Sequence, residues 1–200
     1  MQEDNCPSLR IVNGHYQLWL GRPINLQTLS EVVGKNGRLH RGRPTMMSCR
    51  LLKKRVLFFP NGGVQVIGGG VTKTLLNHLL QKIDILVRLC SSVTAPPCQL
   101  QWTVNNIVFQ FNLHRRFKFD RYKCNKDFSF EPELFPAALI SRWIPAHVTL
   151  FSNGRGMITG VKERSTAVEL LRKLPAFLTE HANSCGLRGR TDPGVECFCD

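Results

Sequence analysis

The chain has 200 residues, of which 42% are hydrophobic and 20% are charged, a composition typical of soluble globular proteins that argues against disorder throughout. Its 27 Lys and Arg against 14 Asp and Glu give a net charge of +13, which favours a polyanionic partner. Nucleic acid is the simplest such partner, with an anionic membrane surface or a ribosomal setting as alternatives. No run of 18 apolar residues and no secretory signal is readable, so the sequence predicts an intracellular protein without a membrane span.

In chain order, RIVNG at residues 10–14 predicts an opening strand. A short helix or loop, a three-strand meander and a long helix from Val71 to about Leu89 are predicted to follow. The same order then repeats. Alternating apolar residues over 107–113 predict the second opening strand, and a second long helix is predicted from Lys162 to about Leu178.

The repeat is visible in the residues themselves, because a shift of 92 aligns residues 43–68 with residues 135–160 without a gap. The identical pairs are mostly residues that set backbone shape: Pro44/Pro136, Arg50/Arg142, Val56/Val148, Phe59/Phe151, Asn61/Asn153, Gly62/Gly154 and Gly68/Gly160. Upstream, RIVNG matches NIVFQ at 106–110 with a shift of 96. Each Asn-Gly pair between apolar runs predicts a hairpin, because both residues tolerate positive φ. A repeat of this length suits a duplicated α+β domain.

Two such halves side by side would form one antiparallel sheet with helices on one face and the other face open. Period 2 along the meander strands predicts which side chains lie on the open face. In the first half they are Leu57, Phe59, Gln65 and Ile67, and in the second half Thr149, Phe151, Met157 and Thr159. An apolar surface flanked by basic residues indicates a ligand-binding face.

Eight cysteines lack the paired CxxC spacing of a zinc site, so free thiols are predicted rather than a disulfide scaffold. The one metal-like cluster is near the C-terminus, where Cys185, Cys197 and Cys199 follow His181. No metal and no cofactor is predicted. No Ser-His-Asp, paired-carboxylate or phosphate-cradling pattern can be placed, and the chain is therefore predicted not to be an enzyme.

Several segments resemble the TATA-binding protein family. FEPELFP at 130–136, LFSNGRGMITGVK at 150–162 and NNIV at 105–108 resemble its second repeat, while RIVNG, INLQTL at 24–29 and LFFPNGGVQVIGG resemble its first. The resemblance implies an α+β saddle of two pseudo-symmetric repeats, with about ten curved antiparallel strands and four helices on the convex face. It predicts an N-terminal tail over 1–9, repeat 1 over 10–95, repeat 2 over 100–180 and a flexible tail over 181–200.

The resemblance also implies roles for individual residues. Phenylalanines that wedge into a DNA base step are expected at Phe135, Phe151 and Phe59, while the shift of 92 places Arg43 opposite Phe135. The positions expected to face the minor groove are Asn106, Val108, Thr159, Met157, Thr149, Val12, Leu57, Gln65 and Ile67. Phosphate contacts are expected from Arg50, Arg142, Arg155, Lys162 and Arg43. Contacts with transcription factor IIB are expected from Glu131, Glu133 and Leu134.

The resemblance therefore implies a nuclear transcription initiation factor that binds and bends A·T-rich double-stranded promoter DNA through the minor groove. Its expected partners are transcription factor IIB and the RNA polymerase II machinery, with no membrane partner. Two alternatives stay open at this point. The first is a saddle-shaped protein-interaction module with little DNA binding of its own, and the second is a nonspecific basic protein of ribosomal type.

Overall fold

The computed structural model describes residues 8–90, 102–122 and 126–184. Within these residues the chain forms ten strands and three α-helices. The strands are β1 (Arg10–Trp19), β2 (Gly37–His40), β3 (Met46–Leu51), β4 (Lys54–Phe58), β5 (Gly63–Ile67), β6 (Trp102–Asn112), β7 (Phe128–Ser129), β8 (Ala137–Ile140), β9 (His147–Phe151) and β10 (Arg155–Val161). The helices are α1 (Leu26–Val33), α2 (Lys73–Leu89) and α3 (Arg164–Ser184).

The strands form a ten-stranded antiparallel sheet in the order β2-β3-β4-β5-β1-β6-β10-β9-β8-β7. This confirms the predicted α+β class and strand number. The chain divides into two compact units, of which the first-repeat unit is Asn13–Asn106 and the second-repeat unit contains the residues up to Val12 and from Ile107 onward. The division falls inside β1 and β6. The predicted repeat boundaries stay predictions, and residues 1–7 and 185–200 of the predicted tails lie outside the described residues.

The core of the first-repeat unit is built from one face of β1, β4 and β5. Tyr16 of β1 lies opposite Val66 of β5, and Phe58 of β4 lies opposite Val64. Helix α2 begins after Thr72, whose side chain accepts a hydrogen bond from the Leu75 amide, and it covers this face with a stripe of buried apolar residues. That stripe is Leu79, Ile83 and Val87. Each fully buried side chain of this size contributes about 1.5–3 kcal/mol.

The second-repeat unit follows the same plan. Phe109 and Phe111 of β6, Ile158 of β10, and Val148 and Leu150 of β9 are buried side chains of its strands. Helix α3 buries a stripe of its own: Ala167, Leu170, Leu171, Leu174, Phe177 and Leu178. Both long helices therefore arise where their apolar periodicity predicted them. Helix α3 extends to Ser184, beyond its predicted end at about Leu178, and so enters the region predicted as a flexible tail.

The expected fourth helix is absent from the described residues of the second repeat. In the first repeat, the Asn25 side chain accepts hydrogen bonds from two backbone amides at the start of α1. In the corresponding stretch of the second repeat, the residues that the structure describes include the short 3₁₀ helix Phe119–Tyr122. Its aromatic residues pack on one another instead, with the Phe119 ring centroid 4.9 Å from that of Phe130 and 5.8 Å from that of Phe128. Aromatic clustering has replaced helical capping there.

The two Asn-Gly hairpins share one geometry, which differs in one respect from the prediction. Only the glycines have positive φ, +90° at Gly62 and +84° at Gly154, whereas Asn61 and Asn153 do not. Each asparagine instead accepts a hydrogen bond from the amide two residues later, at 3.0 Å in both repeats. The turn depends on the Asn side chain as a backbone acceptor and on the Gly as the residue with left-handed φ.

Two cysteines lie in the described part of the chain, and both are free thiols. Cys49 faces the core of the first-repeat unit, and burial raises its pKa to about 11. Burial also raises the pKa of the Cys90 thiol. The predicted metal-like cluster falls largely outside the described residues, and none of the described α-helices is long and apolar enough to span a membrane.

Candidate nucleic-acid interface

The pairing of β1 with β5 and of β6 with β10 determines which residues of the two repeats are equivalent. In the first repeat His15 pairs with Ile67 and Trp19 pairs with Gly63, whereas in the second Asn112 pairs with Arg155. Since Gly63 and Arg155 are equivalent across the hairpins, β1 and β6 are related by a shift of 93 residues. The shift of 96 inferred from RIVNG and NIVFQ is therefore wrong.

The corrected register changes two expected equivalences. Asn13, rather than Arg10, corresponds to Asn106, and His15, rather than Val12, corresponds to Val108. Period 2 along β1 places Val12 on the side of the strand that carries the core residues Tyr16 and Leu18. The sequence similarity between RIVNG and NIVFQ is therefore fortuitous. The register of each strand is given by its cross-strand partners.

The open face of the second-repeat unit is the side of its strands opposite the core residues. One row across it consists of Leu139, Thr149, Met157 and Gln110, each opposite the next. The neighbouring row pairs Thr159 with His147. On β6, period 2 adds Asn106 and Val108, both half-buried, to the side that carries Gln110. Thr149, Met157, Thr159, Asn106 and Val108 thus lie on the face where they were predicted.

The aromatic pair Phe135 and Phe151 stands at one end of this face. Their ring centroids are 6.1 Å apart with the rings tilted by 58°, and Phe135 is 43% exposed. Phe151 ends β9 opposite Ala137, the first residue of β8, while Phe135 belongs to the loop that leads into β8. A large exposed aromatic side chain next to a second, half-buried one forms an apolar surface, and its burial against a ligand lowers the free energy.

Glu131, Glu133 and Leu134 lie in the loop between β7 and β8. The amides of Leu134 and Phe135 both donate to the Glu131 carbonyl oxygen at 2.9 Å, which closes a compact turn. Leu134 is 80% exposed, and the two carboxylates beside it are also exposed. The loop therefore presents an exposed leucine beside two acidic side chains in a chain of net charge +13.

The open face of the first-repeat unit has the same geometry with different side chains. Its central row is Ser48, Leu57, Gln65 and Gln17, the equivalents of Leu139, Thr149, Met157 and Gln110. The Asn105 amide donates to the Gln17 side-chain oxygen at 3.0 Å. Gln65 and Ile67 are half-buried as predicted for this face, whereas Leu57 is 8% exposed and is largely covered. This face is more polar than its counterpart.

The expected equivalence of Arg43 and Phe135 is not supported by strand register. Phe58 and Leu150 are equivalent, and their partners on the preceding strands are Met47 and Ala138, which are related by a shift of 91 rather than 92. The difference arises in the β3–β4 hairpin, which is one residue shorter than the β8–β9 connection.

With this shift, Pro44 rather than Arg43 corresponds to Phe135. Both Arg43 and Pro44 are exposed in the loop between β2 and β3. The same correction makes Ser141, and not Arg142, the equivalent of Arg50. An ungapped sequence alignment could not show this, because the missing residue lies inside a turn.

The predicted phosphate ligands differ in their surroundings. Arg50 is exposed and pairs directly with Arg55 across β3 and β4, which places two guanidinium groups on the same face. Arg155 and Lys162 are exposed at the start of β10 and just after its end. Arg142 donates to the Asp127 carboxylate at 3.1 Å. It therefore has a protein partner that competes with phosphate.

Several open-face residues escaped the sequence predictions. The residues are Asn13, His15, Gln17, Trp19 and Arg55. All except Arg55 lie on the opening strands, whose register was misassigned. Period 2 applied to Tyr16 and Leu18 as core residues would have found those of β1. The hydrophobic pattern YQLWL was the available signal.

Comparison with known proteins connects these faces to a family. The family model described as "Transcription factor TFIID (or TATA-binding protein, TBP)" matches residues 101–181. The TATA-box-binding protein of Thermococcus kodakarensis is 26% identical over 170 residues, covering 83% of this chain and 87% of that protein. The Thermococcus celer protein of the same name is 27% identical over 170 residues, covering 83% and 88%. Over most of its length the chain is therefore similar to TATA-binding proteins and has diverged from them in sequence.

The solved structure of Methanococcus jannaschii TBP superposes with a TM-score of 0.73 and 21% identity, covering 87% of this chain and 99% of that one. It shows the same fold and confirms the predicted saddle fold of the TATA-binding proteins. The family is one of transcription factors, in agreement with the prediction that the chain is not an enzyme. The family model matches residues 101–181, which make up most of the second repeat. In that repeat, strand pairing places the predicted open-face residues on the expected side of the sheet.

Proposed function

We propose that the chain is a nuclear transcription initiation factor that binds A·T-rich promoter DNA through the minor groove and bends it. The observation that carries the proposal is the Phe135–Phe151 pair, two partly exposed aromatic rings 6.1 Å apart at one end of the second-repeat open face. Inserting such rings between base pairs offsets an unstacking cost of a few kcal/mol per step with aromatic contact. The net charge of +13 attracts the duplex at long range.

The remainder of the second-repeat open face suits the floor of an A·T-rich minor groove. Such a groove displays only the acceptors N3 and O2, with no amino group that projects into it. Asn106 and Thr159 can donate hydrogen bonds, while Val108 and Met157 offer apolar surface to sugars and base edges. Where a guanine amino group meets the apolar side chains of Val108 and Met157, it finds no oxygen to accept its hydrogen bond, which disfavours G·C pairs at those positions.

Phosphate contacts are proposed for the exposed cations beside the faces. Arg155 and Lys162 serve the second repeat, and Arg50 serves the first, where Arg55 reinforces it. Arg142 would first have to leave Asp127, so its contribution is the smallest of the predicted set. Each phosphate neutralised makes the affinity more sensitive to salt.

The acidic loop between β7 and β8 is proposed to recruit transcription factor IIB and, through it, the RNA polymerase II machinery. Glu131 and Glu133 repel DNA phosphates, so their loop is directed at a protein rather than at the duplex. Leu134, at 80% exposed, offers an apolar anchor beside the two charges. A partner with a basic rim around an apolar pocket fits this arrangement.

The decisive experiment compares binding of an A·T-rich and a G·C-rich duplex in a mobility-shift titration. Phe135→Ala and Phe151→Ala are each expected to weaken A·T-rich binding by about 5- to 150-fold, since an aromatic contact with a base is worth about 1–3 kcal/mol. Ile85→Ala, an exposed apolar residue of α2, is the matched control and should bind like the parent. Equal weak binding of both duplexes by the parent would refute groove reading.

The exposed Leu134 also fits the alternative of a protein-interaction module, because an apolar anchor beside two carboxylates can bind a protein whether or not DNA is bound. That alternative predicts binding of transcription factor IIB without DNA, loss of that binding in Leu134→Ala, and no preference between duplexes. A nonspecific basic protein predicts a third outcome. It binds any nucleic acid with strong salt dependence and is indifferent to Phe135→Ala and Phe151→Ala.

A further inference from the structure

An exposed tryptophan stands on the open face of the first-repeat unit. Trp19, the last residue of β1, is 53% exposed, and it points away from the core side that its neighbours Leu18 and Leu20 occupy. Its cross-strand partner is Gly63. A tryptophan exposes a large apolar surface to water at this position, and nothing in the core of the unit requires it.

Trp19 and Phe59 lie on either side of this glycine. A Cβ built on Gly63 would be 3.8 Å from Trp19 Cζ3 and 3.8 Å from Phe59 Cδ2. Both rings therefore come within van der Waals reach of one small space above the glycine, and neither is fully covered by protein. Because Gly63 has no side chain, the space between the two rings is left open on this face.

The second repeat arranges its aromatic residues differently. There the equivalent of Trp19 is Asn112, and the equivalent of Gly63 is Arg155. Phe151, the equivalent of Phe59, has its aromatic neighbour on the other side, in Phe135. Each repeat thus carries the shared hairpin phenylalanine and one further ring. In the first repeat that ring comes from β1, because Pro44 occupies the position of Phe135.

We propose that Trp19 and Phe59 together form the base-stacking site of the first repeat, with Trp19 supplying the aromatic surface that Phe135 supplies in the second. The inference rests on the proposed DNA binding. The two rings share a face with Gln17 and Gln65, whose amides can bond base edges, and with the Arg50–Arg55 pair. The occupant is a nucleobase of duplex DNA, for which an indole is a larger stacking surface than a phenyl ring.

A purely structural role for Trp19 makes a different prediction. An aromatic ring that covers a cross-strand glycine can stabilise a sheet without any ligand. In that case Trp19→Ala would lower the urea midpoint of unfolding and leave DNA affinity unchanged, once binding is corrected for the folded fraction. A stacking role predicts the opposite: Trp19→Ala changes the urea midpoint of unfolding only modestly and lowers the DNA affinity strongly.

The test uses the full chain and an A·T-rich duplex with 2-aminopurine placed in turn at each end of the protected region. Trp19→Ala is expected to weaken binding at least fivefold and to abolish the 2-aminopurine fluorescence change at one end only. Trp19→Phe should retain affinity within about threefold. Phe135→Ala should abolish the change at the opposite end, and Ile85→Ala should affect neither end.

A second measurement uses Trp19 itself as the probe. In a Trp102→Phe/Trp143→Phe variant the remaining tryptophan emission is expected to be quenched on addition of the duplex. One outcome refutes the stacking site and leaves the proposed function standing. In it, Phe135→Ala weakens DNA binding, Trp19→Ala binds with an affinity within twofold of the parent, and Trp19 emission in the Trp102→Phe/Trp143→Phe variant is not quenched by the duplex. If neither variant changes the affinity, both are refuted.

Discussion

The close approach of the second hairpin to the preceding loop makes Gly154→Ala the most informative stability test. Gly154 has φ of +84°, and a Cβ there would lie 2.1 Å from the Arg115 carbonyl oxygen. The loop around Arg115 is attached to the hairpin by two hydrogen bonds. The Leu113 amide donates to the Gly154 oxygen at 2.9 Å, and the Phe117 amide donates to the Ser152 oxygen at 2.8 Å.

The expected cost has two parts. An alanine in the left-handed region costs about 1–2 kcal/mol. Relieving the overlap requires the Arg115 backbone to retreat by roughly 1 Å, which strains or breaks the two flanking hydrogen bonds at a net cost of about 0.5–1.5 kcal/mol each. Gly154→Ala is therefore expected to lower the free energy of unfolding by about 2–5 kcal/mol.

Urea denaturation followed by circular dichroism measures this cost, and the chain offers two comparisons. Gly62→Ala should lose a similar amount, because its Cβ would lie 2.0 Å from the Arg22 carbonyl oxygen at a φ of +90°. Gly42→Ala is the control, since nothing lies within 4 Å of its Cβ, and it should change stability by less than about 0.5 kcal/mol. A loss below about 1 kcal/mol in Gly154→Ala would refute the argument from close approach.

Three further predictions concern the first-repeat unit. His15→Val introduces the residue found at the equivalent position of the second repeat, Val108, and removes a buried Nε2 atom that has no hydrogen-bond partner among the described residues. The free energy of unfolding, measured in urea, should therefore rise by about 1–3 kcal/mol. A loss of stability would contradict this. The pKa of Cys49, raised by burial from 9.0 to about 11, keeps its thiol neutral, so the associated stability is complete below pH 9 and is lost as the pH rises towards 11. Peptide mapping after iodoacetamide treatment at pH 8 should accordingly find Cys49 modified in urea only. Gln65→Met introduces the residue of the equivalent position, Met157, and removes an amide oxygen that could accept a hydrogen bond from a guanine amino group. In mobility-shift titrations, discrimination against a G·C pair at the first-repeat end should therefore increase. An unchanged ratio of the two affinities would show that Gln65 does not read this base pair.

Much of the fold could be predicted because it is encoded locally. The Asn-Gly pairs specify hairpins through residues that favour one backbone geometry, and the two long helices are evident from their apolar periodicity. The prediction failed where two segments had to be aligned by letters alone. RIVNG and NIVFQ share their Ile and Val in register 96, but core packing of Tyr16 and Leu18 against β5 selects register 93. Burial of a strand face outweighs sequence similarity at its exposed end.

The lack of a fourth α-helix among the described residues has a similar origin. A short helix depends on its cap and on tertiary packing more than on intrinsic propensity. Asn25 supplies that cap in the first repeat. In the second repeat, the ring of Phe119, in the 3₁₀ helix Phe119–Tyr122, packs on those of Phe128 and Phe130. Such a contest between local and nonlocal contacts cannot be resolved from the pattern of one segment.

The candidate site divides in the same way. Phe135, Phe151 and the acidic loop became candidates from the sequence because FEPELFP and LFSNGRGMITGVK resemble a known family, and their roles stay predictions. Trp19 could not, because its significance depends on Gly63, a residue 44 positions away that only strand pairing brings opposite it. Residues that act through a partner on another strand are invisible until the register is known.

The contrast between the two open faces follows from what each residue type does. Positions that set the backbone are restricted alike in both repeats: a Cβ on Gly62 would overlap the Arg22 carbonyl oxygen, and one on Gly154 would overlap that of Arg115. Positions on the open face carry no such constraint, and the two repeats differ there. The equivalent of Gln65 is Met157, and the equivalent of Trp19 is Asn112. One scaffold therefore presents an apolar, donor-bearing surface in one half and a more polar surface with a tryptophan in the other. If both faces contact DNA, the two half-sites cannot be chemically equivalent, and the chain must bind an asymmetric element in one preferred orientation. Orientation-specific cleavage from a probe attached near Glu133 would reveal that preference, and equal cleavage at both ends would exclude it.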